Sequence, residues 1–149
     1  MILPDFKGFP RSGRIIGIDW GATRTGVAVS DASREFLFMR PQIVVKNPND
    51  IPPKIVDVAI AEHAVGIIIG LPFHGDGTES DTTARVRDCA TAIEKLTEIP
   101  IAFIDESYSS IAAQDDMGRV RRGDIKTKLD SESARVILEN AIAIMRRAQ

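Results

Sequence analysis

Runs of apolar residues, separated by short polar stretches, divide the chain into strands and helices. Three runs near the start are joined by short links, which is typical of an antiparallel meander. They predict a strand that ends at Asp19, a second near 24–30 and a third near 35–46. The runs VGIIIGLP (65–72) and IPIAFIDES (99–107) are continuously apolar before their polar ends, which indicates buried parallel strands.

Apolar residues at helical spacing fill the segments between and after these parallel strands. Pro52 and Pro53 suit the first turn of one helix, and Thr78 and Asp81 have the spacing of a capping box at the start of the next. Three further segments follow in order: a short helix in 109–120, a basic loop in 121–128 and a closing helix from Asp130.

The order of these elements, βββαβαβαα, predicts the fold class. A meander followed by strand–helix–strand crossovers gives an α/β fold with a mixed five-stranded sheet, three antiparallel strands plus two parallel ones, and helices on both faces. We expect one domain over 13–149. Residues 1–12, which contain Pro4 and Pro10 and no long apolar run, are expected to form a flexible extension.

The composition excludes several classes of protein. The 149 residues are 44% hydrophobic and carry a net charge of −2, so any basic surface that binds nucleic acid must be local. Cys89 is the only cysteine, which excludes an intrachain disulfide and a cysteine-based zinc site and fits the cytoplasm. No segment reaches the roughly 18 apolar residues of a membrane span, and the start lacks the pattern of a signal peptide.

Acidic residues stand at the ends of the predicted parallel strands. Asp19 ends the first strand, Asp105 and Glu106 end the last, and Asp130 follows the basic loop. Because ligands bind beyond the carboxyl ends of parallel strands, these carboxylates are expected to meet in one crevice. Carboxylates that converge repel one another unless a cation is present, and oxygen ligands suit Mg²⁺ or Mn²⁺. Two such ions, roughly 3.5–4 Å apart, clamp both oxygens of a phosphodiester displacement.

Each acidic residue also has a structural interpretation. Asp19 would serve as a turn residue, although its position at the strand end favours function. Side chains alternate along a strand, so only one of Asp105 and Glu106 is expected to face the metals, with a slight preference for Glu106. Asp130 stands where a helix N-cap belongs, and the residues alone leave the cap and ligand interpretations open.

Four segments together resemble the YqgF family, also called RuvX: IGIDWGATRTGVAVSD, VGIIIGLPFHGDGTESDTTARVRDCATAI, IPIAFIDESYSS and KLDSESARVILENAI. The resemblance implies an RNase H-like nuclease that hydrolyses phosphodiester bonds with Mg²⁺ or Mn²⁺, acting on precursor 16S ribosomal RNA or on Holliday junctions. It implies that Asp19 and Asp130 are catalytic metal ligands, and this chain also keeps the acidic pair of the family's late strand as Asp105 and Glu106. The family has an arginine where this chain has Ser107, which removes a bidentate phosphate clamp, and the loop departs from the family at His74 and Gly75.

Three groups of polar residues are candidates for binding the nucleic acid. The turn after the first strand offers Thr23 and Arg24, and the glycine-rich loop before the second helix offers His74, Asp76 and Thr78. The basic segment before Asp130 offers four cations: Arg121, Arg122, Lys126 and Lys128. The basic segment is the best candidate for backbone contacts, because it adjoins an expected metal ligand. Solvated turns, a capped helix and a solvated basic loop are the structural alternatives.

Other residues with distinctive chemistry are expected to be structural. Trp20 is more suited to packing beside the first strand than to stacking on bases, whereas Tyr108 is left as a candidate for stacking on bases. Arg85 and Arg87 are expected on the solvated side of their helix, and Cys89 is expected in the core.

Two other functions compete with a nuclease. The segment GIDWGATRTGVAV also resembles the first phosphate loop of the actin and sugar-kinase superfamily, but those proteins have two lobes and this chain has the length of one. A module that binds RNA without cleaving it is the second alternative, because Ser107 replaces the arginine. A resolvase that makes paired cuts is expected to be a dimer, whereas an RNA-processing nuclease works as a monomer or a dimer.

Overall fold

The computed structural model describes residues 1–106 and 122–147, with the backbone alone over 122–131. Five strands form one sheet: β1 (Ile15–Asp19), β2 (Arg24–Ser30), β3 (Leu37–Val44), β4 (Gly66–Leu71) and β5 (Ile101–Asp105). The order across the sheet is β3-β2-β1-β4-β5. The first three strands are antiparallel neighbours, whereas β1, β4 and β5 run parallel. The predicted mixed sheet is therefore confirmed.

Helices cover both faces of the sheet, as predicted. They are α1 (Ile51–Ala61), preceded by a 3-10 turn at Pro48–Asp50, then α2 (Asp81–Leu96) and α3 (Arg122–Arg147). Alternate side chains of the central strands supply the two cores. Ile16 and Ile18 pack in the cluster that contains α1 and α2, whereas Ile15 and Ile68 pack in the cluster that contains α3. Within the described residues, no helix is long and apolar enough to cross a membrane.

The start of α2 differs from the prediction. The capping box is formed by Ser80 and Thr83, not by Thr78 and Asp81. The Ser80 hydroxyl accepts a hydrogen bond from the Thr83 backbone N–H at 3.1 Å, and the Ser80 N–H donates to the Thr83 hydroxyl at 2.8 Å. The Thr83 hydroxyl also donates to the Pro72 carbonyl. This buried threonine therefore ties the first turn of α2 to the end of β4.

The start of α3 also differs. The helix begins at Arg122, so Asp130 is its ninth residue and not its N-cap, and the predicted basic loop forms the first turns of the helix. Lysine, arginine, leucine and isoleucine dominate this segment and have adequate helix propensity, so an existing helix extends through it. The predicted short helix in 109–120, together with Ser107, Tyr108 and Arg121, lies outside the described residues.

α3 runs antiparallel to β1, which decides where each of its ends lies. Its last turns lie at the start of β1, where Arg34 donates to the Gly13 carbonyl at 2.9 Å and contacts the Met145 sulfur at 3.9 Å. Ala134 and Leu138 pack over Gly17 in the middle of the strand. The N-terminal turns of α3 consequently extend toward the carboxyl ends of the parallel strands.

The first residues of the chain contact the domain. Met1 and Leu3 exchange backbone hydrogen bonds with Ile101, each at 2.8 Å. Phe9 is 3% exposed, and its ring covers Gly66 at the start of β4. These contacts set residues 1–9 against β5 and β4, and the flexibility expected of 1–12 stays a prediction.

Candidate active site at the carboxyl edge of the sheet

The three parallel strands end at one edge of the sheet, and two acidic residues lie at that edge on the same face. Asp19 is the last residue of β1, and Glu106 follows β5. Since Ile18 pairs with Ile69, Asp19 is level with Gly70 on the intervening strand β4. The Cγ atom of Glu106 lies 3.3 Å from the position that a Cβ atom on Gly70 would occupy. Both acids therefore border Gly70.

Strand alternation separates Glu106 from its neighbour Asp105. Ala102 and Ile104 pack on the α3 face, so Glu106 continues that series. Phe103 packs on the face covered by α1 and α2, and Asp105 continues that series. Asp19 follows Ile15 and Gly17 on the α3 face, so it shares its face with Glu106 and not with Asp105.

Gly70 lies between the strand ends that carry the two acids, and its lack of a side chain makes room for Ile137 and Glu106, a role that the sequence interpretation missed. A Cβ atom at this position would lie 2.5 Å from the Cδ1 atom of Ile137 and 3.3 Å from the Cγ atom of Glu106. The available signal was a glycine inside an otherwise aliphatic strand, which often marks a site of close approach.

Asp130 lies on α3 between the residues that pack over Gly17, Ala134 and Leu138, and the N-terminal end of the helix. It precedes Ala134 by one helical turn, about 6 Å along the axis, and Asp19 lies about 7 Å beyond Gly17. Ala134 itself packs over Gly17, with its carbonyl oxygen 2.9 Å from the position of a Cβ atom there. The backbone of Arg122, Lys126 and Lys128 continues in the same direction; these side chains and that of Asp130 lie outside the described part of the chain.

The turn after β1 holds Asp19 in place. A Cβ atom on Gly21 would lie 2.2 Å from the carbonyl oxygen of Arg24, so only glycine fits this turn. The buried Thr25 hydroxyl donates to the Gly21 carbonyl at 3.2 Å and accepts from its N–H at 3.3 Å. The sequence interpretation did not identify this role of Thr25. Thr23 and Arg24, the candidate substrate-binding residues of this turn, are both exposed beside the edge.

The loop between β4 and α2 forms a tight turn at the same edge. The Asp76 carboxylate accepts from the Thr78 hydroxyl at 2.7 Å and from the Thr78 backbone N–H at 3.0 Å. These hydrogen bonds hold the pKa of Asp76 below its usual value. His74 is exposed, and its backbone N–H donates to the Thr78 carbonyl at 2.8 Å. The turn thus gives Asp76 and Thr78 a structural role, and substrate binding by this loop stays a prediction.

The arginines on α2 are not simply solvated. Arg85 is exposed but lies over the ring of Trp20, and Arg87 lies over Phe103. Trp20 packs against the core beside β1, as expected. Cys89 is buried, which raises the pKa of its thiol to about 12, so its expected role in the core is also confirmed.

The donor set fits a divalent metal ion. Asp19 and Glu106 offer carboxylate oxygens on the same face of the sheet, from the two strands that flank Gly70. Among the side chains that the structure describes, no three histidine, cysteine or acidic residues form a group that could hold a metal. Asp130, the third expected ligand, is not among those side chains.

Comparison with known proteins assigns the chain to a family. A family model described as "RuvX: Holliday junction resolvase" matches residues 13–143. The chain belongs to the RuvX family. A relative from Maridesulfovibrio salexigens, named "Putative pre-16S rRNA nuclease", is 34% identical over 132 residues, which cover 87% of this chain and 98% of the relative. A protein of the same name from Rhodopirellula baltica is 32% identical, covering 93% and 82% of the two chains.

Solved structures share the fold of this RuvX chain. RuvC from Thermus thermophilus, in complex with a Holliday junction substrate, superposes with a TM-score of 0.58 at 13% identity, over 89% of this chain and 96% of RuvC. A second structure of Thermus thermophilus RuvC gives a TM-score of 0.56. This likeness confirms the predicted RNase H-like fold.

Membership of the RuvX family also confirms the expected enzyme class. The family consists of nucleases, which are hydrolases that act on phosphodiester bonds. It implies a nucleic acid as substrate and, in general terms, dependence on divalent metal ions.

Proposed function

We propose that this RuvX protein is a cytoplasmic, Mg²⁺- or Mn²⁺-dependent endonuclease that processes the 5′ end of precursor 16S ribosomal RNA. The observation that supports the proposal is that Asp19 and Glu106 flank Gly70 on the same face of the sheet, at its carboxyl edge. The N-terminal turns of α3, which include Asp130, extend toward the same edge. The names of the curated relatives favour RNA as the substrate.

Asp19, Glu106 and Asp130 would hold the metal ions. When bound, such ions activate the attacking water and stabilise the charge that develops on the phosphate oxygens. The chain supplies rigid positioning: Asp19 ends a buried central strand, and the turn closed by Gly21 and Thr25 fixes its backbone. A carboxylate on a rigid element keeps its geometry better than one on a loop.

Basic and polar side chains around this edge would hold the nucleic-acid backbone. Arg24 and Thr23 lie on the turn beside Asp19, and His74 lies on the loop after β4. The basic segment on the first turns of α3 extends beyond the edge. Arg122, Lys126 and Lys128 of this segment, together with Arg121, which lies outside the described residues, would supply most of the contacts with phosphates.

Substitution of the proposed metal ligands tests the mechanism. Asp19→Asn and Glu106→Gln should each lower the rate of cleavage of a precursor 16S rRNA fragment at least about 100-fold, because even outer-shell changes at metal sites cost 10–100-fold. Rates would be measured with Mg²⁺ or Mn²⁺ supplied. Asp88→Asn, an exposed aspartate on α2, is the matched control and should cleave at the wild-type rate.

Two comparisons make this test decisive. Circular dichroism should give the same folded spectrum for each variant, which separates loss of chemistry from loss of structure. Asp105→Asn should retain more activity than Glu106→Gln, because Asp105 continues the opposite face of β5. Wild-type cleavage by Asp19→Asn would reject the assignment of the metal ligands.

Resolution of Holliday junctions is the second candidate, favoured by the description of the family. A four-way DNA junction assayed beside the RNA fragment distinguishes the two substrates. Paired symmetrical cuts require a dimer, so a resolvase should have twice the mass of the chain in solution. Binding of either substrate without cleavage, in the presence of both metals, would instead support a non-catalytic binding module.

A further inference from the structure

Arg85 is held against the residue that follows Asp19. Its guanidinium carbon lies 4.9 Å from the centroid of the Trp20 ring. Arg85 is exposed, and within the described part of the chain it forms no ion pair or hydrogen bond. A guanidinium on an indole face gains cation–π attraction, and its N–H groups stay available in the plane of the stack.

Arg87 offers a contrast on the same helix. Its guanidinium carbon lies 5.7 Å from the centroid of the Phe103 ring, but its Nε donates to the Glu79 carboxylate at 2.6 Å. The charge of Arg87 is therefore compensated within the protein. Arg85 has an equivalent aromatic contact without an acidic partner among the described residues, so its charge is available to an external anion.

Asp19 and the aromatic partner of this arginine are consecutive residues at the end of β1, on opposite faces of the sheet. Asp19 belongs to the α3 face, and the next residue, Trp20, packs against the cluster on the α1 and α2 face. Their Cα atoms are about 3.8 Å apart because the residues are consecutive. Arg85 lies in the second turn of α2, whose first turn is tied to the end of β4 at the same edge.

We propose that Arg85, oriented by Trp20, binds a backbone phosphate of the nucleic acid adjacent to the phosphate that is cleaved. This inference rests on the proposed function, since it assumes a nucleic acid at the carboxyl edge. A strand that crosses this edge meets the carboxylates on one face and the guanidinium on the other. Arg85 would thereby supply a phosphate contact in a chain that has Ser107 in place of the family arginine.

Equilibrium binding in a variant that does not cleave tests this proposal. In the Asp19→Asn background, Arg85→Gln should weaken binding of a precursor 16S rRNA fragment about tenfold, as expected for one lost charge-assisted contact. Binding of a poly(U) RNA of equal length should weaken by the same factor, because phosphate contacts carry no sequence information. The slope of log K against log salt should fall by about 0.7–1.

Two further variants are matched to Arg85→Gln. Arg87→Gln removes the same charge from the same helix, but it should weaken binding and lower the salt slope much less than Arg85→Gln does, because its guanidinium is paired with Glu79. Arg85→Lys keeps the charge without the planar fork, so it should restore the salt slope and only part of the affinity.

Trp20 provides a direct readout, because it is the only tryptophan in the chain. Addition of the RNA fragment should change its emission in the Asp19→Asn protein, and about tenfold more RNA should be needed for the same change when Arg85→Gln is added. Equal loss of affinity in the Arg85 and Arg87 variants, or a wild-type salt slope in Arg85→Gln, would overturn the proposal. If binding depended on Arg85 but the wild-type protein did not cleave the RNA with either metal, the proposed nuclease function would be rejected and the role of Arg85 in binding would stand.

Discussion

At the scale of single residues, the absence of a side chain at Gly70 matters as much as the acids around it. The sequence left two candidates for one of the metal ligands, Asp105 and Glu106, because both stand at the end of the same strand. The structure turns Glu106 toward the face shared with Asp19, and only Gly70 leaves room for it there. The sequence pattern could not assign this role, because it depends on contact with Ile137 and Glu106, which are distant along the chain.

Gly70→Ala should therefore reduce both stability and cleavage. The added methyl group would meet Ile137 and displace Glu106, and such overpacking costs about 1–3 kcal/mol. Urea unfolding measures the loss of stability, and cleavage of the RNA fragment measures the displacement. Gly75→Ala is the matched control, because nothing lies within 4 Å of its Cβ position. Equal stability of the two variants would show that Gly70 is not tightly packed.

At the scale of elements, one carboxylate connects three parts of the fold. Glu62 follows α1, and it accepts from Arg14, which precedes β1, at 2.7 Å and from Arg40 on β3 at 2.6 Å. The Glu62 side chain is only 18% exposed. The hydrogen bond from Arg40 holds the pKa of Glu62 below its usual value, and the charge of Arg14 acts in the same direction.

Glu62 should make stability depend on pH in a defined direction. Since its pKa is lower in the folded protein, its contribution is present above the unfolded pKa of about 4.3 and is lost as the pH falls through the folded value. Glu62→Gln should destabilise the protein by about 1–3 kcal/mol at pH 7. Below about pH 4, the free energies of unfolding of Glu62→Gln and the wild type, measured in urea, should become more similar. Glu98 is exposed, so the control Glu98→Gln should have the wild-type free energy of unfolding both at pH 7 and below about pH 4. If Glu62→Gln remained as destabilising in acid as at pH 7, the assignment of the pH dependence to Glu62 would be contradicted.

The ends of helices were the least predictable part of the elements. The sequence placed the start of α3 at Asp130, because aspartate is a preferred cap, but the helix begins at Arg122. It placed the cap of α2 at Thr78, but that threonine is bonded to Asp76 and Ser80 forms the cap. Several polar residues near each helix start are suited to the N-cap position, and the path of the preceding loop decides which of them occupies it.

At the scale of the whole molecule, the first residues complete the cover of the sheet. Phe9 closes the start of β4, where a Cβ atom on Gly66 would lie 2.3 Å from the Cζ atom of its ring. Its ring also meets Phe6 edge-on, with the centroids 6.0 Å apart. These contacts lie at the end of the sheet opposite to Asp19, so they concern stability and not chemistry.

Phe9→Ala should lower the free energy of unfolding by about 3 kcal/mol, as expected for a large buried side chain. Urea unfolding provides the measurement. Phe36→Ala is the control, because Phe36 is 62% exposed and its loss should change stability by no more than about 0.5 kcal/mol. If both variants were as stable as the wild type, the segment would behave as the flexible extension that the sequence predicted.

The sequence by itself determined the order of the strands along the chain, the mixed sheet and the helices on both of its faces, and it predicted the edge at which the acids gather. These features follow from local periodicity and from the rule for ligands at strand ends, which need only neighbouring residues. The tertiary structure alone decided that Glu106 and Asp19 share a face, that Gly70 separates them and that Arg85 rests on Trp20. Each of these depends on strand register and helix packing, which bring together residues that no local pattern relates.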